Sequence, residues 1–388
     1  MLSDFLCALF ISAQLFAQNE PVIIETQNIS LVYKIGYQNK LVQVYFGEKL
    51  QNSDDYNLLN SREDAYATAG MDNLNEPAIR MKHNDGNPSL ALTFNKSEVI
   101  EKNDNFKTIV IYLNDDQYPV QVKLFFKAFF DEDVIETWTE ISHQEKESVP
   151  LSNFASSMLH FNQRDYWLTH FHGDWNKEMI MNETRLTSGI KIIDSKLGTR
   201  THKFQAPMFF LSLNGQSTET EGDVIAGTLA WTGNFQFVFE IDELNALRVI
   251  SGMNPYASEY QLEPGEVFKT PPFIFTYSGN GRGQASRNLH TWARDYKVLD
   301  GNGDRLTLLN NWEATYFSFD EDRLVELFDG AKKLGVDLFL LDDGWFANKY
   351  PRNSDRAGLG DWQANKEKLP HGIGYLVEQA EEKGIKFG

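Results

Sequence analysis

The chain has 388 residues, 13% of them aromatic, with a formal net charge of −19. It is longer than one ordinary domain and can bury at least one large core. Acidity of this size excludes a nucleic-acid partner, whose phosphates need a basic surface. The single cysteine, Cys7, excludes an internal disulfide and a cysteine-rich metal site.

The 28 Phe, 15 Tyr and 8 Trp suit two uses that composition does not separate. Aromatic rings fill sheet-on-sheet cores, and a ring face also packs against the apolar face of a pyranose.

At the start, Phe5 to Phe16 is a short apolar run followed by Ala17-Gln18-Asn19. The run is too short to cross a bilayer and has the length of a signal-peptide core. No Lys or Arg precedes it, and Asp4 stands where positive charge is usual. Residues 1–18 are expected to form a cleaved signal peptide, giving a periplasmic or secreted protein with no membrane span. The alternatives are a buried N-terminal segment and a misplaced start codon.

Residues 19–284 carry the pattern of β-strands. Leu31 to Tyr37 and Leu41 to Phe46 flank Gln38-Asn39-Lys40, which reads as a hairpin. Thr108 to Leu113 and Val120 to Phe126 repeat the arrangement around Asn114-Asp115-Asp116. Val134 to Ile141 alternates apolar and polar residues, as a half-buried strand does. Many short strands without helical periodicity predict a large antiparallel β-sandwich.

The period then changes. Leu289, Trp292, Ala293 and Tyr296 recur at helical spacing within Ala285 to Tyr296, and a polar stretch from Lys297 to Arg305 follows. Residues 285–305 are therefore expected to be a connecting helix and linker. Gly279-Asn280-Gly281-Arg282-Gly283 resembles a phosphate loop only superficially and reads as a turn before that helix.

Residues 306–388 alternate between strand and helix. Leu306 to Asn310 reads as a strand ending at Asn311-Trp312. Asp320 can cap a helix with an apolar stripe of Leu324, Leu327, Phe328, Ala331 and Leu334, closed by Gly335. Leu338 to Leu341 is wholly apolar, the mark of a strand covered on both faces, and it ends in Asp342-Asp343-Gly344-Trp345. Tyr375 to Lys383 reads as a second helix and Ile385-Lys386-Phe387 as a third strand. The order β-α-β-α-β specifies a parallel sheet, either a barrel or an open one; a (β/α)8 TIM barrel needs about 250 residues in all, so residues 306–388 would be its first third.

In such barrels chemistry gathers at the C-terminal ends of the strands. Trp312 and the Asp342-Asp343 pair both fall there. Adjacent carboxylates at a strand end offer several acceptors to hydroxyl groups, and an indole can wall the apolar face of a sugar. Taken alone, Asp-Asp-Gly reads as a turn, and the Trp as core. The combination favours a sugar site. Elsewhere, His170-Phe171-His172 would put two imidazoles on one strand face, but no third ligand accompanies them and the structural reading is preferred. Trp175 and Glu178 read as packing and cap residues.

Asn311-Trp312-Glu313-Ala314, Leu341 to Phe346, Gly360-Asp361-Trp362 and Lys368 to Gly372 resemble the first barrel strands of family 36 glycoside hydrolases. Leu262 to Glu266, Thr270-Pro271, Thr276-Tyr277-Ser278, Trp231 to Phe235 and Ser195 to Pro207 resemble that family's N-terminal β-supersandwich. The resemblance implies an α-galactosidase that retains configuration at terminal α-linked galactose, as in melibiose or raffinose. It implies that Asp342 and Asp343 bind the galactose 4- and 6-hydroxyls and that Trp312 lines the pocket. It places the nucleophile and acid on later strands, beyond Gly388, so no catalytic residue is assigned here. No cofactor or metal is implied. A homo-oligomer, possible as a tetramer, would bring a loop spanning Tyr66 to Ala78 to a neighbour's site. Leu74 and Asn75 depart from the aromatic and Arg that the family often carries there. A transglycosylase, an α-N-acetylgalactosaminidase of the same family, and a non-catalytic carbohydrate-binding or assembly module are the alternatives.

Overall fold

The computed structural model describes residues 20–70, 73–201 and 203–388. The run Phe5 to Phe16 lies outside them. Two compact units divide the chain, the second spanning Asn302–Gly388.

The first unit is built almost entirely of antiparallel strands. Ten strands form its largest sheet. The main path runs Ile180–Arg185, Tyr166–Gly173, Phe204–Leu213, Asp223–Leu229, Phe273–Ser278, Val134–His143, Val120–Phe129, Phe106–Asp115 and Leu92–Lys102, and Val267–Lys269 pairs with Val134–His143. A six-stranded sheet is ordered Gly189–Asp194, Phe235–Ile241, Leu247–Met253, Val149–Phe161 and Tyr260–Leu262, with Ile79–Met81 also on Val149–Phe161. Val22–Glu25, Ile29–Ile35 and Leu41–Glu48 make a third sheet.

The aromatic residues join these layers. Phe209 of the large sheet meets Phe237 and Phe239 of the six-stranded sheet, edge to face at 5.1 and 5.0 Å. Tyr33 and Phe46 of the third sheet meet Phe126 and Phe275 of the large one at 5.4 and 5.3 Å. One core unites all three sheets, and each fully buried aromatic adds roughly 1.5–3 kcal/mol by leaving water. This is the expected β-sandwich.

The hairpin around Gln38-Asn39 pairs Lys34 with Val42 and Ile35 with Leu41. Gln38 and Asn39 take φ of 54° and 59° to make the turn. The strand Val134–His143 departs from expectation. Its polar positions Glu136, Thr137 and Thr139 are buried as well. This strand is central in the large sheet, so both faces are covered, and the polar groups find partners: the Thr139 N–H donates to Thr270 Oγ1 at 2.9 Å, and Glu136 accepts from Lys297 Nζ at 2.5 Å.

The helix that follows begins earlier than the pattern suggested, at Gly281, and runs to Tyr296. The expected turn over Gly279 to Gly283 is corrected, because its last three residues form the first helical turn. Their N–H groups are taken up by the carbonyls of Gly222, Thr218 and Glu219 at 2.9–3.0 Å. Gly281 has φ 75°, and a Cβ there would stand 2.6 Å from the Thr218 carbonyl oxygen. Local periodicity carries no sign of this docking. Ala285 and Trp292 pack on the large sheet, beside Val224 and Ala226 and beside Phe129 and Ile274. The helix therefore belongs to the first unit.

The second unit holds three parallel strands, Leu308–Asn310, Leu338–Leu340 and Lys386–Phe387, in that order. A short helical turn, Trp312–Thr315, and helices Glu321–Leu334 and Gly372–Glu382 connect them. Asp320 caps the longer helix by accepting from Arg323 N–H at 2.9 Å, and Gly335 ends it at φ 75°. Such a cap contributes about 1 kcal/mol.

Leu324, Phe328 and Ala331 bury against Phe339, Leu376, Ala380 and Ile385. Leu334 does not join them and is 75% exposed. The chain turns at Gly335, and the Val336 N–H bonds back to the Ala331 carbonyl at 3.1 Å, so Val336 takes the place on the core that Leu334 was expected to fill. Only Phe339 of its strand is fully buried; Leu338 and Leu340 are half-buried. Two-sided burial is thus not realised within this unit, since both helices pack on the Phe339 face.

Candidate functional site

The C-terminal ends of the parallel strands bring Asn310, Asn311, Asp342 and Asp343 together. Parallel register sets Asn310 beside Leu340, so the residues just beyond lie side by side. Asn310 Nδ2 donates to Asp342 Oδ2 at 2.6 Å, and Asn310 Oδ1 accepts from the Trp312 N–H at 2.7 Å. Asn311 Oδ1 accepts from the Asp342 N–H at 2.8 Å. Asp342 Oδ1 accepts from the Asp343 N–H at 2.7 Å, which closes the turn.

Asp343 has a different partner. Arg352 Nε lies 2.9 Å from Oδ1, and Arg352 Nη2 lies 2.7 Å from Oδ2. Hydrogen bonding from this guanidinium holds the Asp343 carboxyl below the usual carboxylate range. Lys368 adds positive charge nearby; its Nζ donates to the carbonyls of Phe317 and Gly344 at 2.7 and 2.9 Å. Burial lowers the Lys368 pKa.

A concavity of about 410 Å³ opens over the pair, lined also by Trp345, Phe346, Arg352, Leu359 and Trp362. Trp362 is 62% exposed and rests against Phe346, with ring centroids 4.8 Å apart. Trp312 is tied to Asp342 through Asn310 but is not among the residues lining this concavity. Its indole meets Tyr316 and Phe317 edge-on at 5.4 and 4.9 Å.

Each oxygen of Asp342 has one protein donor and keeps a lone pair for another. A half-buried acceptor pair beside aromatic rings can receive the hydroxyls of a sugar. Asn310, Arg352 and Lys368 were missed from sequence. The tandem Asn310-Asn311 at a strand end and the Lys368 to Gly372 motif were the available signals; a lone Arg in a polar loop carries none.

The other candidates belong to the first unit. His170 is buried, and the strand pairing is irregular between it and His172, which bonds Asn182 Nδ2 at 2.8 Å. Among the described residues no group of three or more His, Cys, Asp or Glu is placed to hold a metal ion. Trp175 is not a packing residue: it is 84% exposed, because its turn carries it clear of the core to line a hollow with Phe171 and Met179. Glu178 Oε1 accepts from the Asn176 N–H at 3.0 Å within that turn. No helix among the described residues is long and apolar enough to cross a membrane.

The glycosyl hydrolase family 36 N-terminal domain matches residues 39–263, and the melibiase domain matches 267–388. The chain belongs to glycosyl hydrolase family 36. It is 31% identical to alpha-galactosidase Mel36A of Lactobacillus acidophilus over 340 residues, covering 83% of this chain and 46% of that protein. It is 33% identical to alpha-galactosidase AgaA of Geobacillus stearothermophilus over 291 residues, covering 74% and 39%. The crystal structure of AgaA superposes with a TM-score of 0.86 at 27% identity, over 95% of this chain and 56% of that one. The galactosidase domain of AgaSK gives the same TM-score over 97% and 57%. The chain thus spans about half the length of the family 36 relatives it matches.

Proposed function

We propose that the protein carrying this chain is a retaining α-galactosidase and that Asp342 and Asp343 hold the terminal galactose of its substrate. The observation that carries the reading is the strand-end carboxylate pair, oriented by Asn310, Asn311 and Arg352 and open to solvent on one side. The relatives support the substrate class: AgaA variants are described in complex with raffinose and with stachyose. The family resemblance supports Trp312 as a pocket residue, and its backbone N–H is tied to Asp342 through Asn310. The half-buried Leu338 and Leu340 face supports a sheet that continues into a barrel.

The pair binds rather than cleaves. The Arg352 guanidinium favours the charged form of Asp343, which suits an acceptor of sugar hydroxyls better than a proton donor, and Asp342 is held by Asn310 and the Asp343 N–H with a lone pair left on each oxygen for a hydroxyl. Retaining hydrolysis needs a nucleophile and an acid about 5–5.5 Å apart; these are assigned to carboxylates outside this chain. The apolar run Phe5 to Phe16 supports export. The family resemblance supports a homo-oligomer, with the loop around Leu74, which is 96% exposed, as its reaching element.

The test is to follow raffinose hydrolysis by NMR. Retention releases the α-anomer of galactose first. First release of the β-anomer, or no cleavage of any α-galactoside, sinks the reading.

A further inference from the structure

We propose that Arg352 is a positioning residue for sugar recognition: its guanidinium fork fixes the orientation and charge of the Asp343 carboxylate from the protein side. This rests on reading Asp343 as a galactose ligand.

The geometry is a two-pronged grip. Nε meets Oδ1 at 2.9 Å and Oδ2 at 3.2 Å, while Nη2 meets Oδ2 at 2.7 Å. The third nitrogen, Nη1, donates to the Ala357 carbonyl at 2.9 Å. Phe317 and Phe346 flank the guanidinium, with centroids 5.7 and 5.8 Å from its carbon. With its nitrogens satisfied and rings on its flanks, the arginine has one place to be. Its side chain is 7% exposed while that of Asp343 is 27% exposed, so of these two residues lining the concavity the carboxylate is the more open and the arginine the more deeply set. A planar fork matches both oxygens at once, which a lysine ammonium does not.

Arg352 is not what closes its own loop. The loop is clamped at its base by Ala347 N–H to the Gln363 carbonyl at 2.8 Å, Asn365 Nδ2 to the Ala347 carbonyl at 2.7 Å, and Asn348 N–H to Asp361 Oδ2 at 2.9 Å. These bonds hold the loop's base without Arg352, whose own contacts go to the Ala357 carbonyl and to Asp343. The charges around Asp343 are Arg352 from the loop, Lys368 from the segment before the last helix, and Asp342 beside it, with Asp355 acting on Arg352.

Removing Arg352 lets the Asp343 pKa rise toward its ordinary value, so the acid limb of sugar binding moves to higher pH. The experiment compares wild type, Arg352→Lys, Arg352→Gln and Asp343→Asn in the protein carrying this chain. Galactose affinity is measured by calorimetry across acid and neutral pH, and the Asp343 carboxyl titration by carbon NMR. Arg352→Gln should lose about tenfold or more in affinity at neutral pH, with acid limb and carboxyl titration both shifted upward. Arg352→Lys should restore part of each. Reduced affinity in Arg352→Gln with an unmoved acid limb and titration would overturn the proposal in favour of a loop brace. Undiminished galactose binding by Asp343→Asn would instead remove the functional reading beneath it.

Discussion

Asn310 reaches from one parallel strand to Asp342 at the end of the next, donating from Nδ2 to Oδ2 at 2.6 Å, while its own oxygen holds the Trp312 N–H. One amide thereby sets both a carboxylate and the start of the turn that carries an indole. Only a group that donates and accepts at once can do this, so neither Asp nor Leu can replace it.

Asn310→Asp should accordingly weaken α-galactoside turnover more than Asn310→Ala. The aspartate places a second negative charge against Asp342, whereas alanine only removes a donor. A charge-assisted bond contributes about 1.5–3 kcal/mol, so Asn310→Ala should lower kcat/KM by roughly 10- to 150-fold. Equal activity of Asn310→Ala and wild type would show that Asp342 needs no such support.

Asp342→Asn and Asp343→Asn should each lose most activity and keep the fold, at roughly 10- to 150-fold in kcat/KM for each lost charged bond. A nucleophile behaves otherwise, since its removal costs further orders of magnitude and ends covalent labelling by a fluorinated galactoside. Labelled peptide from the wild type should map away from Asp342. Label on Asp342 itself would reverse the assignment.

Gly227 in the large sheet lies between two rings: a Cβ there would come within 2.6 Å of Phe273 Cζ and 2.7 Å of Phe209 Cζ. Both rings belong to the fully buried core and cannot swing into water. Gly227→Ala should destabilise the sandwich by about 1–3 kcal/mol through overpacking, read as a lower urea midpoint with unchanged slope. An unaltered midpoint would mean that the rings have slack.

His170 gives the sandwich a pH signature. Burial, with Lys191 and His172 nearby, lowers its pKa below the ordinary 6.5. The unfolded chain then binds a proton that the folded state refuses, so stability falls as pH drops below about 6.5 and levels off once the folded imidazole is also protonated. His170→Gln should flatten the Tm-against-pH curve in that window. If the two curves stay parallel, the imidazole does not contribute.

What the sequence determined by itself was local. Turn residues at Gln38-Asn39-Lys40 and Asn114-Asp115-Asp116 marked the hairpins on either side of them; Asp320 and Gly335 bounded a helix; apolar Leu338 to Leu341 signalled the parallel unit and put Asp342 and Asp343 at its end. Side-chain period, capping bonds and left-handed glycine act over a few residues, so they are written in adjacent letters. The tertiary structure alone decided the rest. It buried Thr139 by making its strand central, left Leu334 and Trp175 in solvent, and started the first helix at Gly281 against the carbonyls of 218–222. It also brought Asn310 to Asp342 and Arg352 against Asp343, which changes a turn into a charged and oriented acceptor. Those contacts join segments whose separation has no period, and their partners are chosen by the paths of loops and sheets.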